Sequence, residues 1–115
     1  IFEAMTGEAL TLKGEGKDII LIDDMVDTGG SLVAAAKAIK EHGALDVYAA
    51  CTHPVLSGPA IERIENSAIS ELIVLDTIQL PEEKKLDKIQ IKTVAPLFGD
   101  AIKKIFSNES ISELF

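Results

Sequence analysis

Apolar residues in this chain fall in short blocks, and the spacing inside each block predicts an element. Ile19, Ile20, Leu21 and Ile22 form a continuous, largely β-branched run, the pattern of a strand buried on both faces in a parallel sheet. The run is expected to stop at Asp23 and Asp24, with a loop over residues 25–30 and a helix opening at Ser31. Leu32, Ala35, Ala36 and Ile39 then recur at helical spacing until Gly43 ends the pattern. Residues 46–52 read as a second strand, after which His53-Pro54 and Ser57-Gly58-Pro59 punctuate a loop. Residues 60–66 read as a short helix with Ile61 and Ile64 inward, and residues 71–76 as a third buried strand. Pro81 and the charges from Glu82 to Lys85 make a solvated turn. Residues 89–94 alternate in the manner of a half-exposed edge strand, and Phe98, Ala101, Ile102, Ile105 and Phe106 share one face of a last helix. Residues 3–12 read as an extended arm or a hairpin strand at the domain's edge.

Strands alternating with helices imply crossover connections and a parallel sheet, hence an α/β domain. The 115 residues fit one such domain with a core of its own. There is no internal repeat, no low-complexity tract and no interdomain linker. The chain opens at Ile1-Phe2-Glu3 without a methionine, which suggests a fragment or a processed product.

Charge narrows the choice of ligand. With 11 basic and 19 acidic residues the net charge is −8, which opposes a nucleic-acid surface. An anionic ligand must therefore be held locally, by backbone N–H groups or a metal. No apolar stretch approaches the ~20 residues of a membrane span, and no basic segment precedes an apolar run at the start. The single cysteine, Cys51, lies in an apolar run and reads as a small buried hydrophobe, consistent with a reducing compartment. These features predict a soluble, cytoplasmic protein.

The chemistry concentrates in residues 22–31, Ile-Asp-Asp-Met-Val-Asp-Thr-Gly-Gly-Ser. A strand, a glycine-bearing turn and a helix start in that order place unpaired N–H groups and a partial positive charge at the carboxyl edge of a sheet, which suits a phosphate. Gly29 and Gly30 are expected to adopt positive φ and to let the backbone come close to it. Thr28 and Ser31 add hydroxyls. Asp23, Asp24 and Asp27 would repel a bare polyphosphate, but they can meet sugar hydroxyls or Mg²⁺. No lysine follows the last glycine, so a triphosphate-binding P-loop is excluded. The loop suits one monophosphate carried on a polyol. Read without that ligand, the same string is a strand end, a turn and a helix cap.

The string resembles the loop for phosphoribosyl pyrophosphate (PRPP) that is shared by phosphoribosyltransferases and PRPP synthetases. Residues 51–60, Cys-Thr-His-Pro-Val-Leu-Ser-Gly-Pro-Ala, with Glu62-Arg63-Ile64, then Leu80-Pro81-Glu82-Glu83-Lys84-Lys85 and the closing residues 109–115 resemble the synthetases, in the same order. The likeness runs over essentially the whole chain and points to the carboxyl-terminal domain of a bacterial-type ribose-phosphate pyrophosphokinase. It implies a phosphoribosyltransferase-like (type I) parallel sheet flanked by helices. By the same resemblance, Asp23 and Asp24 face the ribose hydroxyls and the metal-bound substrate. Asp27, Thr28, Gly29, Gly30 and Ser31 cradle the 5-phosphate, and Ser110, Ser112 and Phe115 line a phosphate/ADP regulatory site between subunits. No metal ligand is assigned, although Mg²⁺ is the implied cofactor.

The family is homo-oligomeric and makes PRPP and AMP from ATP and ribose 5-phosphate. Its ATP-binding domain and a basic catalytic loop are expected to lie before this stretch, where the sequence offers only Lys13 and Lys17 ahead of Asp23. This departs from the family at three points: Ser31 stands for the usual threonine, Gly29 for alanine or cysteine, and Glu113 for a common tyrosine. Two other readings are a nucleobase phosphoribosyltransferase, which would need a base-binding hood, and a non-catalytic regulatory module. Outside the loop, His42 reads as an exposed helix-end residue, and His53, Asp76 and Thr77 as strand-end residues near the ligand edge.

Overall fold

The computed structural model describes residues 16–114. The arm expected over residues 3–12, Lys13 and Phe115 lie outside the described residues. Four strands, β1 (Ile19–Val26), β2 (Val47–Pro54), β3 (Ile69–Leu75) and β4 (Ile89–Lys92), form one sheet in the order β1-β2-β3-β4. Every neighbouring pair is parallel, as alternating strands and helices require.

Helix α1 (Gly30–Glu41) joins β1 to β2, and the short helix α2 (Ala60–Glu65) joins β2 to β3. A single 3-10 turn at Glu82–Lys84 stands between β3 and β4, and α3 (Ala95–Phe106) follows β4. The core lies between one face of the sheet and the α1–α2 pair. Leu21, Val47, Ala49, Cys51, Leu72 and Val74 project from the strands, and Leu32, Ala35, Ala36, Ile39, Ala60 and Ile64 meet them from the helices. All four core positions of α1 named by its helical spacing are buried, and Gly43, at φ 99°, ends that helix in a left-handed step. No buried polar side-chain atom lacks a partner among the described residues.

Three expectations give way here. β1 is not buried on both faces: Leu21 is fully buried, while Ile20 and Ile22, on the opposite face of the pleat, are half exposed or more. A continuous apolar run reads the same whether one face or two are covered, so the sequence alone does not separate the cases. Second, β1 does not stop at Asp23. It continues to Val26 because β2 also runs on, pairing His53 with Met25 and Pro54 with Val26. Third, α3 carries the apolar face that its spacing predicts, but only Ala101 on it is buried; Phe98, Ile102, Ile105 and Phe106 remain exposed. The other elements follow the sequence closely, with β3 starting at Ile69 and β4 ending at Lys92.

Candidate functional site

The carboxyl ends of the parallel strands bring together the residues that carry chemistry. β1 ends at Val26, Asp27 and Thr28 form the turn, and α1 begins at Gly30. Gly29 is the N-cap residue, at φ 79° and ψ −2°, a left-handed conformation that costs a residue with a Cβ about 1–2 kcal/mol. It has no side chain with which to cap the helix, and no other side chain does so. The first helical bond is the Val33 N–H to the Gly29 carbonyl at 3.0 Å. The N–H groups of the preceding first-turn residues, Gly30 to Leu32, stay available to an anion, supported by the helix dipole.

Gly30 plays a different part from the one its sequence suggests. It does not take a positive φ; among the described residues only Gly16, Gly29, Gly43 and Gly58 do so as glycines. A Cβ on Gly30 would instead lie 3.2 Å from Arg63 Nη1. The missing side chain makes room for the guanidinium, which donates to the Thr28 carbonyl at 3.1 Å.

That contact belongs to a strap from β2. The Leu56 N–H donates to the Val26 carbonyl at 3.0 Å, and the Ser57 N–H to the Asp27 carbonyl at 2.9 Å. The Ser57 hydroxyl donates to the Asp27 carboxylate, and the start of α2, at Ala60, packs against Gly29. Leu56 itself sits at φ 50° while fully buried. A non-glycine residue held there by burial and hydrogen bonds on both sides is local strain, worth about 1–3 kcal/mol, of the kind that clusters at functional turns. The sequence marks residues 53–59 as a punctuated loop but reveals neither the Ser57–Asp27 bond nor the Arg63 contact. Both join partners some thirty or more positions apart along the chain.

The three acids are not equivalent. Successive strand residues face opposite sides of the pleat, so Asp23 shares the side of Leu21, and Asp24 that of Ile22. Asp23 Oδ1 accepts the Asp24 N–H at 2.8 Å. Asp27 is exposed and held by Ser57, and Thr28 and Ser31 are exposed on either side of the glycines.

His53 lies across from Met25, and its Nδ1 is 2.9 Å from Thr77 Oγ1. The Thr77 hydroxyl donates to the Thr52 carbonyl at 2.9 Å, so it accepts from His53, and the neutral imidazole keeps its proton on Nδ1. Nε2 is left as an acceptor at the carboxyl edge of the sheet. Asp76 does structural work instead. Its carboxylate accepts from the Thr93 hydroxyl and from the Val94 N–H at 2.8 Å, and both bonds hold its pKa below the usual carboxylate range. His42 ends α1, with Nδ1 2.7 Å from the Ala38 carbonyl, as its sequence position implied. Ser110 and Ser112 share a hydroxyl–hydroxyl bond of 2.6 Å in the tail, which packs on α3, where Lys104 and Glu113 pair at 3.4 Å.

Cys51 is buried beside this turn. Burial lifts its pKa from 9.0 to about 11, the Asp23 charge adds to that, and a bond from the Val26 backbone opposes it. At neutral pH the thiolate fraction falls about a hundredfold below that of an ordinary thiol. Iodoacetamide should therefore leave the native protein essentially unlabelled at pH 7 on a timescale that fully labels it in denaturant, as read by intact mass. Comparable labelling in the two states would show that Cys51 is accessible.

Residues 6–115 match the Phosphoribosyl synthetase-associated domain. The chain belongs to that family. Curated members similar to it include the ribose-phosphate pyrophosphokinase of Bacillus cereus, 60% identical over 101 residues that cover 88% of this chain and 32% of the relative. That of Caldanaerobacter subterraneus subsp. tengcongensis is 52% identical over 115 residues, covering 98% of this chain and 36% of the relative. The crystal structure of phosphoribosylpyrophosphate synthetase from Mycobacterium smegmatis superposes with a TM-score of 0.81 at 40% identity, over 83% of this chain and 32% of that one. The chain thus spans about a third of the length of these family members.

Proposed function

We propose that this chain is the ribose-5-phosphate-binding part of a ribose-phosphate pyrophosphokinase, corresponding to its carboxyl-terminal domain. The observation that carries the reading is the turn at Gly29: a left-handed glycine that leaves first-turn N–H groups uncapped at the carboxyl edge of a parallel sheet. That is a site for one phosphate. The acids around it favour a ligand that brings hydroxyls. The relatives are named ribose-phosphate pyrophosphokinases, which supports the reaction the family resemblance implies, transfer of the diphosphoryl group of ATP to the 1-hydroxyl of ribose 5-phosphate with release of AMP. They lend no support to a nucleobase phosphoribosyltransferase.

In this reading Thr28 to Ser31 hold the 5-phosphate through backbone N–H groups and hydroxyls. Asp27 stays fixed by Ser57, and Asp23 and Asp24 accept from sugar hydroxyls on the two sides of β1. His53 Nε2 is placed to accept a further hydroxyl. No group of three His, Cys, Asp or Glu ligands occurs among the described residues. The residues therefore suit Mg²⁺ bound mainly by substrate and water with one or two carboxylates, the mode usual for this ion. When bound there it would offset phosphate charge. ATP would come from a first domain, and phosphate and ADP would act as effectors through Ser110, Ser112 and Phe115 in a homo-oligomer. No described helix is long and apolar enough to cross a membrane, and the biosynthetic role proposed is cytoplasmic.

Calorimetric titration of the chain should give saturable binding of ribose 5-phosphate and weaker binding of inorganic phosphate, with unphosphorylated ribose not measurable. Equal binding of ribose and ribose 5-phosphate would rule out a phosphate cradle.

A further inference from the structure

We infer that Arg63 is a positioning residue for the phosphate turn, acting from behind it rather than on the ligand; the inference rests on the site proposed above. Arg63 is the only arginine of an acidic chain. It lies on α2, exposed, and among the described residues it forms no ion pair. Its described bond goes to a backbone carbonyl, that of Thr28, at 3.1 Å. The peptide that carries this carbonyl also carries the N–H of Gly29, and a peptide plane turns as one rigid unit. Fixing the carbonyl toward α2 therefore fixes the direction of that N–H and biases the φ of Gly29.

The same guanidinium stands 3.2 Å from where a Cβ on Gly30 would be. Arg63 and Gly30 are thus a matched pair: a side chain at position 30 displaces the arginine, and loss of the arginine frees the turn. α2 is coupled to the turn a second time, through Ala60 against Gly29 at 3.7–3.8 Å. The strap from Leu56 to Ser57 holds the carbonyls of Val26 and Asp27, and Arg63 extends the series to that of Thr28. The inferred role runs through that backbone contact, and the salt dependence of binding separates it from a direct ionic one.

The test is a double-mutant cycle on ligand affinity, with inorganic phosphate and ribose 5-phosphate as probes. Wild type, Arg63→Gln, Gly30→Ala and the double variant are titrated, and the melting of each is recorded. Arg63→Gln should weaken both ligands about tenfold, the order expected for one charge-assisted hydrogen bond. Gly30→Ala should weaken them similarly although Arg63 is retained, and the double variant should be no worse than either single one. Arg63→Lys should recover part of the loss, since an ammonium can also donate to the Thr28 carbonyl. Independent, additive losses at 30 and 63 would overturn the inference. So would an Arg63→Gln protein that binds like wild type. A salt dependence of phosphate binding that falls in Arg63→Gln would also overturn it, because that marks a direct ionic contact. Failure of the wild type to bind either probe would instead remove the site reading itself.

Discussion

Gly29→Val abolishes ribose 5-phosphate binding while leaving the domain folded. The expected failure lies in the dihedral angle, not in space. A Cβ at Gly29 would meet Ala60 at 3.7–3.8 Å, an ordinary contact, so valine fits the volume. It does not fit φ 79°. A β-branched residue there costs about 1–3 kcal/mol, so the free turn relaxes to negative φ and its first-turn N–H groups leave the phosphate; restoring the native turn on binding costs about 5- to 150-fold in affinity. Leu21, Ala36 and Leu72 belong to the sheet and the middle of α1 rather than to the turn, so with the turn relaxed melting should shift little. The measurement is calorimetric titration beside thermal unfolding. Wild-type affinity in Gly29→Val would mean that the N–H groups of this turn do not hold the ligand.

The second large effect is an absence of turnover by the 115-residue chain alone. Diphosphoryl transfer places negative charge on the moving group, and enzymes meet it with fixed cations in a site closed to water. Losing one such donor commonly costs about 10²–10³ in rate. The edge described here offers Asp23, Asp24 and Asp27, one imidazole, and Arg63 committed to a carbonyl. Nothing in the loop clamps the phosphates of ATP. AMP release from ATP, Mg²⁺ and ribose 5-phosphate should therefore stay at background, and should appear when the remaining part of a family member is supplied. Turnover by the chain alone at an ordinary enzymatic rate would overturn the half-site view.

What could be read from the sequence was what neighbours along the chain decide. Leu32, Ala35, Ala36 and Ile39 fix α1 because their burial follows from one helical period. The Asp-Thr-Gly-Gly-Ser turn announces a helix start by local conformation alone. The misses share a different cause. β1 runs past Asp23 only because His53 and Pro54 continue β2 beside it, and no property of Asp-Asp-Met-Val contains that. The positive φ expected of Gly30 is not there, and what its Cβ would meet is a guanidinium 33 positions later. The bare faces of β1 and α3 escaped for a related reason. Periodicity says which residues share a face, not whether anything covers it.

The buried thiol has a practical use that follows from its place in the sheet. Cys51 stands on the sheet face that α1 and α2 cover and is shielded as long as the helices stay packed on it. Its reaction with an electrophile then works as a clock for the opening of that layer. In the fast-reclosing regime the labelling rate is the intrinsic thiol rate multiplied by the open fraction. Any ligand that binds only the closed turn slows the clock in proportion to its occupancy. Affinity for the proposed cradle can be timed this way without any assay of turnover.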